Sequence, residues 1–137
     1  MIGIVIVTHG NLGSELVSAA SLIKGEIENV ISVSIDATKN VEELKRNIAG
    51  AIKKAERGSG TLILTDLFGG TPSNLSLSFL NEGKVEVLTG VNLPMLLKVS
   101  ELQKKAENLV EFAKTVRDYG KKNIYLAGEI LEKKVNT

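Results

Sequence analysis

The stretch "TLILTDLFGGTPSN", residues 61 to 74, contains the local signals that decide the fold. Its apolar run TLILT is typical of a strand that is buried on both faces of a sheet. An acid, Asp66, and two glycines follow, and Thr71 with Pro72 is typical of a helix that begins after a capping threonine. The stretch therefore predicts a buried strand that turns through glycines into a helix.

Other short apolar runs alternate with helical patterns along the chain. Apolar residues recur at three- and four-residue spacings within 41–55 and 102–119, which predicts two amphipathic helices. This alternation predicts an α/β fold, a doubly wound three-layer sandwich with a mostly parallel sheet. The other predicted strands are IGIVIV (2–7), VISVSI (30–35), VEVLT (85–89) and NIYLAGEIL (123–131).

The composition of the strands predicts their order. IGIVIV and TLILT are almost continuously apolar, as central strands are, whereas VISVSI alternates with serines, as an edge strand does. The simplest order is 2-1-3-4, with ligands bound beyond the carboxyl ends of strands 1 and 3. Residues 8–10 and 66–68 should therefore face each other. The last run, 123–131, could pair in either direction or with another chain.

The composition argues against several classes of protein. The 137 residues fit one domain, predicted over 1–131, with a polar tail over 132–137. The chain has 17 basic and 16 acidic residues, and this balance argues against nucleic acid as a partner. There is no cysteine, one histidine, no GxxxxGK[ST] stretch and no cluster of catalytic carboxylates, so we expect neither a metal nor a cofactor. No apolar run spans a bilayer, so we expect a cytoplasmic protein that can still dock on a membrane complex.

His9, the single histidine, follows the first strand, and Asp66 follows the third. A carboxylate that accepts one ring N–H of an imidazole fixes its tautomer and leaves the other nitrogen free as a base or nucleophile. Taken alone, His9 is equally well explained as a surface loop residue, and Asp66 as a turn cap. Their predicted convergence favours a functional pair. If Asp66 takes the Nδ1 proton, Nε2 is the free nitrogen.

Gly69 and Gly70 can turn successive backbone N–H groups toward one point and allow an anion to approach closely. The helix expected from Thr71 directs its partial positive charge at the same point, which favours phosphate. Neither loop contains a basic residue, so the site suits one phosphoryl group better than a nucleotide. These features favour a phosphohistidine carrier over a kinase or ATPase.

A third loop, "TGVNLPMLLKV" at 89–99, should border the same crevice. Asn92 is a candidate cap for a short helix. Leu93, Pro94 and Met95 either form an exposed apolar surface beside the crevice that suits a protein partner or belong to ordinary loop-to-helix packing.

Three stretches resemble one known family in order and spacing. IVIVTHG (4–10), LTDLFGGTPSN (64–74) and GVNLPMLL (90–97) are similar to the enzyme IIA component of the mannose, fructose and sorbose family of the bacterial phosphotransferase system, and the resemblance runs from Met1 to about Leu131. It implies a phosphotransferase that accepts a phosphoryl group from the histidine phosphocarrier protein HPr. It also implies transfer to a separate IIB component, which serves the membrane components IIC and IID.

The resemblance also implies the role of each site residue. His9 would be phosphorylated on Nε2, Asp66 would hold the other ring nitrogen, and Gly69, Gly70 and Thr71 would bind the phosphoryl group. Partner docking would fall to Phe68, Leu93, Pro94 and Met95, and a homodimer would exchange the last strand in antiparallel orientation. Asn11 and Phe68 stand where some relatives have tryptophan, so the extent of the apolar docking surface differs.

Three alternatives have sequence features of their own. The phosphotransfer subunit of a dihydroxyacetone kinase uses a similar domain, although the GGTPSN and GVNLPML stretches favour sugar transport. A flavodoxin-like module could bind FMN with THGNLGS (8–14), but few aromatic residues could sandwich the flavin. A receiver-type domain phosphorylated on Asp66 should have an acidic pair after the first strand, where this chain has Thr8 and His9.

Overall fold

The computed structural model describes residues 1–36 and 38–135, and this part of the chain forms a parallel sheet with helices on both faces. The strands are β1 (Gly3–His9), β2 (Val30–Ile35), β3 (Thr61–Thr65) and β4 (Val85–Thr89). The helices are α1 (Leu12–Lys24), α2 (Val41–Ala55), α3 (Gly70–Leu77), α4 (Leu93–Leu102), α5 (Leu109–Lys122) and α6 (Ala127–Val135).

The sheet has the order β2-β1-β3-β4, and all its pairs are parallel, which confirms the predicted order. Val7 of β1 is paired with Thr65 at the end of β3, and His9 is paired with Ile35 at the end of β2. Strands 1, 2 and 3 therefore end at one edge of the sheet. The residues that leave these strands are brought together there.

The two central strands divide the core into two layers. Alternate side chains of β1 point to opposite faces, so Ile4 and Ile6 pack with α1, α4 and α5, whereas Val5 and Val7 pack with α2 and α3. All five residues of β3 are buried. The predicted three-layer α/β sandwich is confirmed.

The prediction of one helix over 102–119 is wrong at its start, because α4 ends at Leu102 and α5 begins at Leu109. Gln103 is buried, and its Nε2 donates to the carbonyl of Ile2 at 2.9 Å. Asn108 then caps α5, since its side chain accepts the backbone N–H of Glu111 at 3.0 Å. One distant hydrogen bond and one local cap therefore separate the two helices.

The strand predicted over 123–131 is not formed in this single chain. Residues 124–126 have no regular structure, and α6 begins at Ala127 and runs to Val135, into the predicted tail. Residues 136 and 137 lie outside the described part. Alanine, glutamate, leucine and lysine in α6 favour a helix, whose hydrogen bonds need no second strand. None of the helices described between residues 1 and 135 is long and apolar enough to cross a membrane.

Candidate active site

His9 and Asp66 meet at the carboxyl edge of the sheet, as the strand order predicts. The distance between Nδ1 of His9 and Oδ2 of Asp66 is 2.7 Å. The same carboxylate oxygen also accepts the backbone N–H of His9 at 2.9 Å. Asp66 therefore holds both the main chain and the ring of His9. Two hydrogen bonds to one oxygen restrict the orientation of the imidazole.

The environment of Asp66 favours its ionised form. Burial of the side chain, which is 8% exposed, acts to raise the pKa of this carboxyl. The pKa is nevertheless lowered overall, because the opposing effects are together larger. Asp66 accepts hydrogen bonds from the backbone N–H and the ring of His9 and from the N–H of Leu67, and it lies near the charge of His9. A carboxylate can only accept hydrogen bonds, so Nδ1 of His9 carries the proton. In the neutral imidazole the lone pair is then on Nε2.

The Nε2 edge of the ring faces the start of α3. A Cβ atom placed on Gly70 would lie 3.7 Å from Nε2 and 3.5 Å from Cε1 of His9. The side chain of His9 is 55% exposed, and Nε2 has no hydrogen-bond partner among the described residues. Nε2 is therefore free and next to the helix start.

The glycine turn differs from prediction in one respect. The helix α3 begins at Gly70 and is capped by Gly69, so Thr71 is a residue of its first turn rather than the cap. Gly69 has φ of 97° and Gly70 has φ of 79°, a backbone region that favours glycine. The N–H groups of Gly70 and Thr71 have no intrahelical acceptor, and no described side chain caps them. One of these donors belongs to Gly70, the residue that the Nε2 edge of His9 faces.

Side chains of β1 and β2 brace the loop that follows His9. The buried hydroxyl of Thr8 accepts the N–H of Gly13 at 2.9 Å, and the hydroxyl of Ser34 donates to the carbonyl of Gly10 at 2.6 Å. Ser34 was not predicted as a site residue. Its only signal was an exposed serine near the end of an edge strand.

The third loop packs against the same edge. Asn92 caps α4, as predicted, because its Oδ1 accepts the N–H of Met95 at 3.0 Å. Its Nδ2 donates to the carbonyl of Gly120 at 3.2 Å. Of the two alternatives for Met95, ordinary packing is the one found, since this side chain is 4% exposed and packs against Gly120, so it is not part of an exposed docking surface. Leu93 and Pro94 are half-buried.

Large apolar side chains are exposed in the two loops that carry His9 and Asp66. Phe68 is 77% exposed, and Leu12 and Leu67 are 47% and 49% exposed. We call these three residues the apolar rim. Only Phe68 was predicted, because leucines next to a helix start resemble ordinary core residues in the sequence.

Charged residues other than Asp66 are sparse at this site. The segments 8–13 and 66–71 contain no lysine or arginine. Among the described residues, no group of three or more histidine, cysteine or acidic side chains is arranged to hold a metal ion. The donors available for an anion are therefore backbone N–H groups, the hydroxyl of Thr71 and the dipole of α3.

Comparison with known proteins shows similarity over most of the chain. A family model described as the fructose IIA component of the phosphotransferase system (PTS) matches residues 3–117. The chain is 31% identical over 134 residues to the PTS fructose-specific EIIA component of Bacillus subtilis. This alignment covers 97% of this chain and 91% of that protein. It is 36% identical over 98 residues to the PTS mannose-specific EIIAB component of Escherichia coli, covering 71% of this chain and 30% of the relative.

A solved structure supports the same likeness. The crystal structure of phosphotransferase system component EIIA from Streptococcus agalactiae superimposes with a TM-score of 0.84 at 28% identity. The alignment covers 94% of this chain and 99% of that one. The residues that the family model matches include His9, Asp66 and the whole third loop.

Proposed function

We propose that His9 carries a phosphoryl group on Nε2. The premise is that the chain belongs to the mannose-type IIA family of the bacterial sugar phosphotransferase system. Members of this family are phosphotransferases that carry phosphoryl groups for sugar uptake. The observation that supports His9 is its 2.7 Å contact with Asp66, which leaves Nε2 free beside Gly70.

In the proposed step, the Nε2 lone pair attacks the phosphorus of the phosphohistidine of HPr. The new N–P bond forms as the N–P bond of the donor breaks, and the bonding electrons return to the imidazole of HPr. His9 keeps its Nδ1 proton, which Asp66 holds. The carboxylate stabilises the positive charge that develops on the ring, so catalysis consists mainly of alignment and electrostatics.

The phosphoryl group brings a charge of up to about −2 to the site. We propose that the N–H groups of Gly70 and Thr71 and the hydroxyl of Thr71 bind its oxygens. Gly69 gives the turn its shape through its positive φ. The partial positive charge at the start of α3 favours the same anion, although the added charge also lies near Asp66. The site therefore combines attraction with some repulsion, which suits a group that must leave again.

The proposed partners are HPr as donor and a IIB component as acceptor. The relatives are named for different sugars, fructose and mannose, and the chain itself would not bind the sugar. The apolar rim around His9 suits a protein surface, which could exclude water during transfer. Transfer would take place in the cytoplasm, next to the membrane components.

We also propose that the active form is a homodimer. Ile124, Tyr125 and Leu126 are between 65% and 74% exposed in the single chain. The outer edge of β4 has no neighbouring strand in the described part of the chain. If residues 123–131 left their present position and paired with β4 of a second copy, both features would be covered. This is the exchange that the family resemblance implies.

A reconstituted relay tests the carrier role directly. The protein is incubated with enzyme I, HPr and labelled phosphoenolpyruvate, and we expect an acid-labile, base-stable phosphate on this chain. Because the chain has one histidine, His9→Ala should abolish labelling while circular dichroism shows an intact fold. An unlabelled wild-type chain, or normal labelling of His9→Ala, would contradict the proposal.

A further inference from the structure

A groove of about 410 Å³ lies along the outer edge of β2, between that strand and α2. β2 is the first strand of the sheet and pairs only with β1. The backbone groups of residues 32–34 that point away from β1 have no partner in the described part of the chain. An edge of this kind can accept a further strand from another chain.

The groove is positively charged. Lys39, Arg46 and Lys54 line it, and no acidic residue lines it. None of the three forms an ion pair with a described residue. Four acids lie close to these cations along the chain, and all of them lie outside the lining: Asp36, Glu42, Glu43 and Glu56. Hydrogen bonds from Thr38 lower the pKa of Asp36, and the charge of Lys39 adds to this effect. The whole chain has a net charge of only +1, so this cluster is a local feature.

Gly50 forms part of the floor of the groove, in the middle of the 15-residue helix α2. A Cβ atom at this position would meet nothing within 4 Å, so packing inside the chain does not require a glycine. Glycine in a helix interior is destabilising relative to alanine. Here it leaves the floor without a side chain, which permits another backbone to approach closely.

We propose that this groove binds an extended, acidic segment of a protein partner, which adds to the edge of β2 and places its carboxylates beside Lys39, Arg46 and Lys54. A small anion would use the charges but not the free strand edge or the glycine floor. The groove also reaches Ser34, whose hydroxyl donates to the carbonyl of Gly10 in the loop after His9. A bound segment would therefore contact the residue that braces the active-site loop.

The test uses the whole chain and a ten-residue peptide of alternating threonine and glutamate with blocked ends. In a nitrogen-15 NMR titration at low salt, we expect shifts confined to residues 31–34, 39 and 46–54, and weaker binding as salt rises. Arg46→Glu with Lys54→Glu should weaken binding at least about tenfold. Lys53→Glu reverses a charge on the same helix outside the lining and should leave the affinity unchanged.

A second variant separates shape from charge. Gly50→Leu fills the floor but keeps every charge, and it should abolish binding without lowering the melting temperature, since leucine favours a helix. Three results would overturn the proposal. A threonine-lysine peptide could bind equally well, the shifts could fall elsewhere on the surface, or both the Arg46/Lys54 variant and Gly50→Leu could bind the peptide normally. So would the absence of binding at millimolar peptide. Inorganic phosphate that competes as strongly as the peptide would instead make this a small-anion site.

The binding measurement does not involve phosphoryl transfer. His9→Ala should therefore bind the peptide normally. Failure of the carrier role and failure of the groove proposal would give different results.

Discussion

One carboxylate oxygen of Asp66 accepts both the ring Nδ1–H of His9, at 2.7 Å, and the backbone N–H of the same residue, at 2.9 Å. The ring is thus oriented relative to its own backbone by a residue 57 positions away in the sequence. This arrangement determines which nitrogen of His9 faces the glycine turn. It also makes the role of Asp66 testable apart from that of His9.

Asp66→Asn should slow phosphoryl transfer by about tenfold to a hundredfold, the range found when the hydrogen-bond partner of a metal-bound histidine is changed. The amide keeps the size of the side chain but removes the charge that stabilises the ring. Quenched-flow assays measure the rate of phosphoryl transfer from phospho-HPr, and thermal unfolding checks the fold. Asp36→Asn is a matched control, because Asp36 also lies at the end of a strand on this edge but does not contact His9. Equal rates for Asp66→Asn and wild type would remove Asp66 from the mechanism.

The lowered pKa of Asp66 predicts a pH dependence of stability. The folded-state pKa lies below the ordinary value of 3.8, so the folded chain binds fewer protons here than the unfolded chain. The resulting stabilisation is present above pH 3.8 and is lost as the pH falls through the folded-state pKa. Urea unfolding between about pH 6 and about pH 2 should show the difference between wild type and Asp66→Asn shrinking below about pH 4. A difference that stays constant over this range would contradict the prediction.

Gly70→Ala and Gly69→Ala form a matched pair. Both residues have positive φ, where an L side chain strains the backbone, so each substitution should cost about 1 to 3 kcal/mol of stability. Only at Gly70 would the new methyl group approach His9, at 3.5 Å from Cε1, whereas nothing lies within 4 Å of a Cβ at Gly69. We therefore expect a loss of transfer of at least about tenfold for Gly70→Ala beyond that of Gly69→Ala. Equal activity of the two variants would mean that access to Nε2 is not restricted by the turn.

Phe68→Ala should weaken docking without destabilising the chain, because the side chain is 77% exposed. We expect a higher KM for phospho-HPr and a nearly unchanged melting temperature, measured by the relay assay and by thermal unfolding. Leu22→Ala is the control, since Leu22 is 90% exposed but lies ten residues, about 15 Å, further along α1 than Leu12 of the apolar rim. If the two variants have the same KM, Phe68 has no part in docking.

Local signals were sufficient to predict most of the fold and the meeting of His9 with Asp66. Apolar runs predicted the four strands of the sheet, the composition of the strands predicted their order, and the order predicted which loops converge. The Asn92 cap was equally local. Strand order is informative because parallel strands place their carboxyl ends at one edge.

Contacts between distant residues account for the errors. Met95 is buried by α5 at Gly120, and α4 ends where Gln103 bonds to Ile2. Neither partner can be identified from the residues near it in sequence. The start of α3 at Gly70 depends on two positive φ angles, which two adjacent glycines permit but do not require.

The segment 123–131 was predicted as a strand from its apolar residues, and in the single chain it is not paired with a partner strand. If a second copy supplies that partner, replacing exposed apolar side chains should prevent assembly. Ile124→Asp with Leu126→Asp should give a monomer in sedimentation experiments at micromolar concentration, whereas wild type should give a dimer. Leu22→Asp, another exposed leucine, should remain dimeric. A monomeric wild type would exclude the exchange, and a dimeric double variant would place the interface elsewhere on the chain.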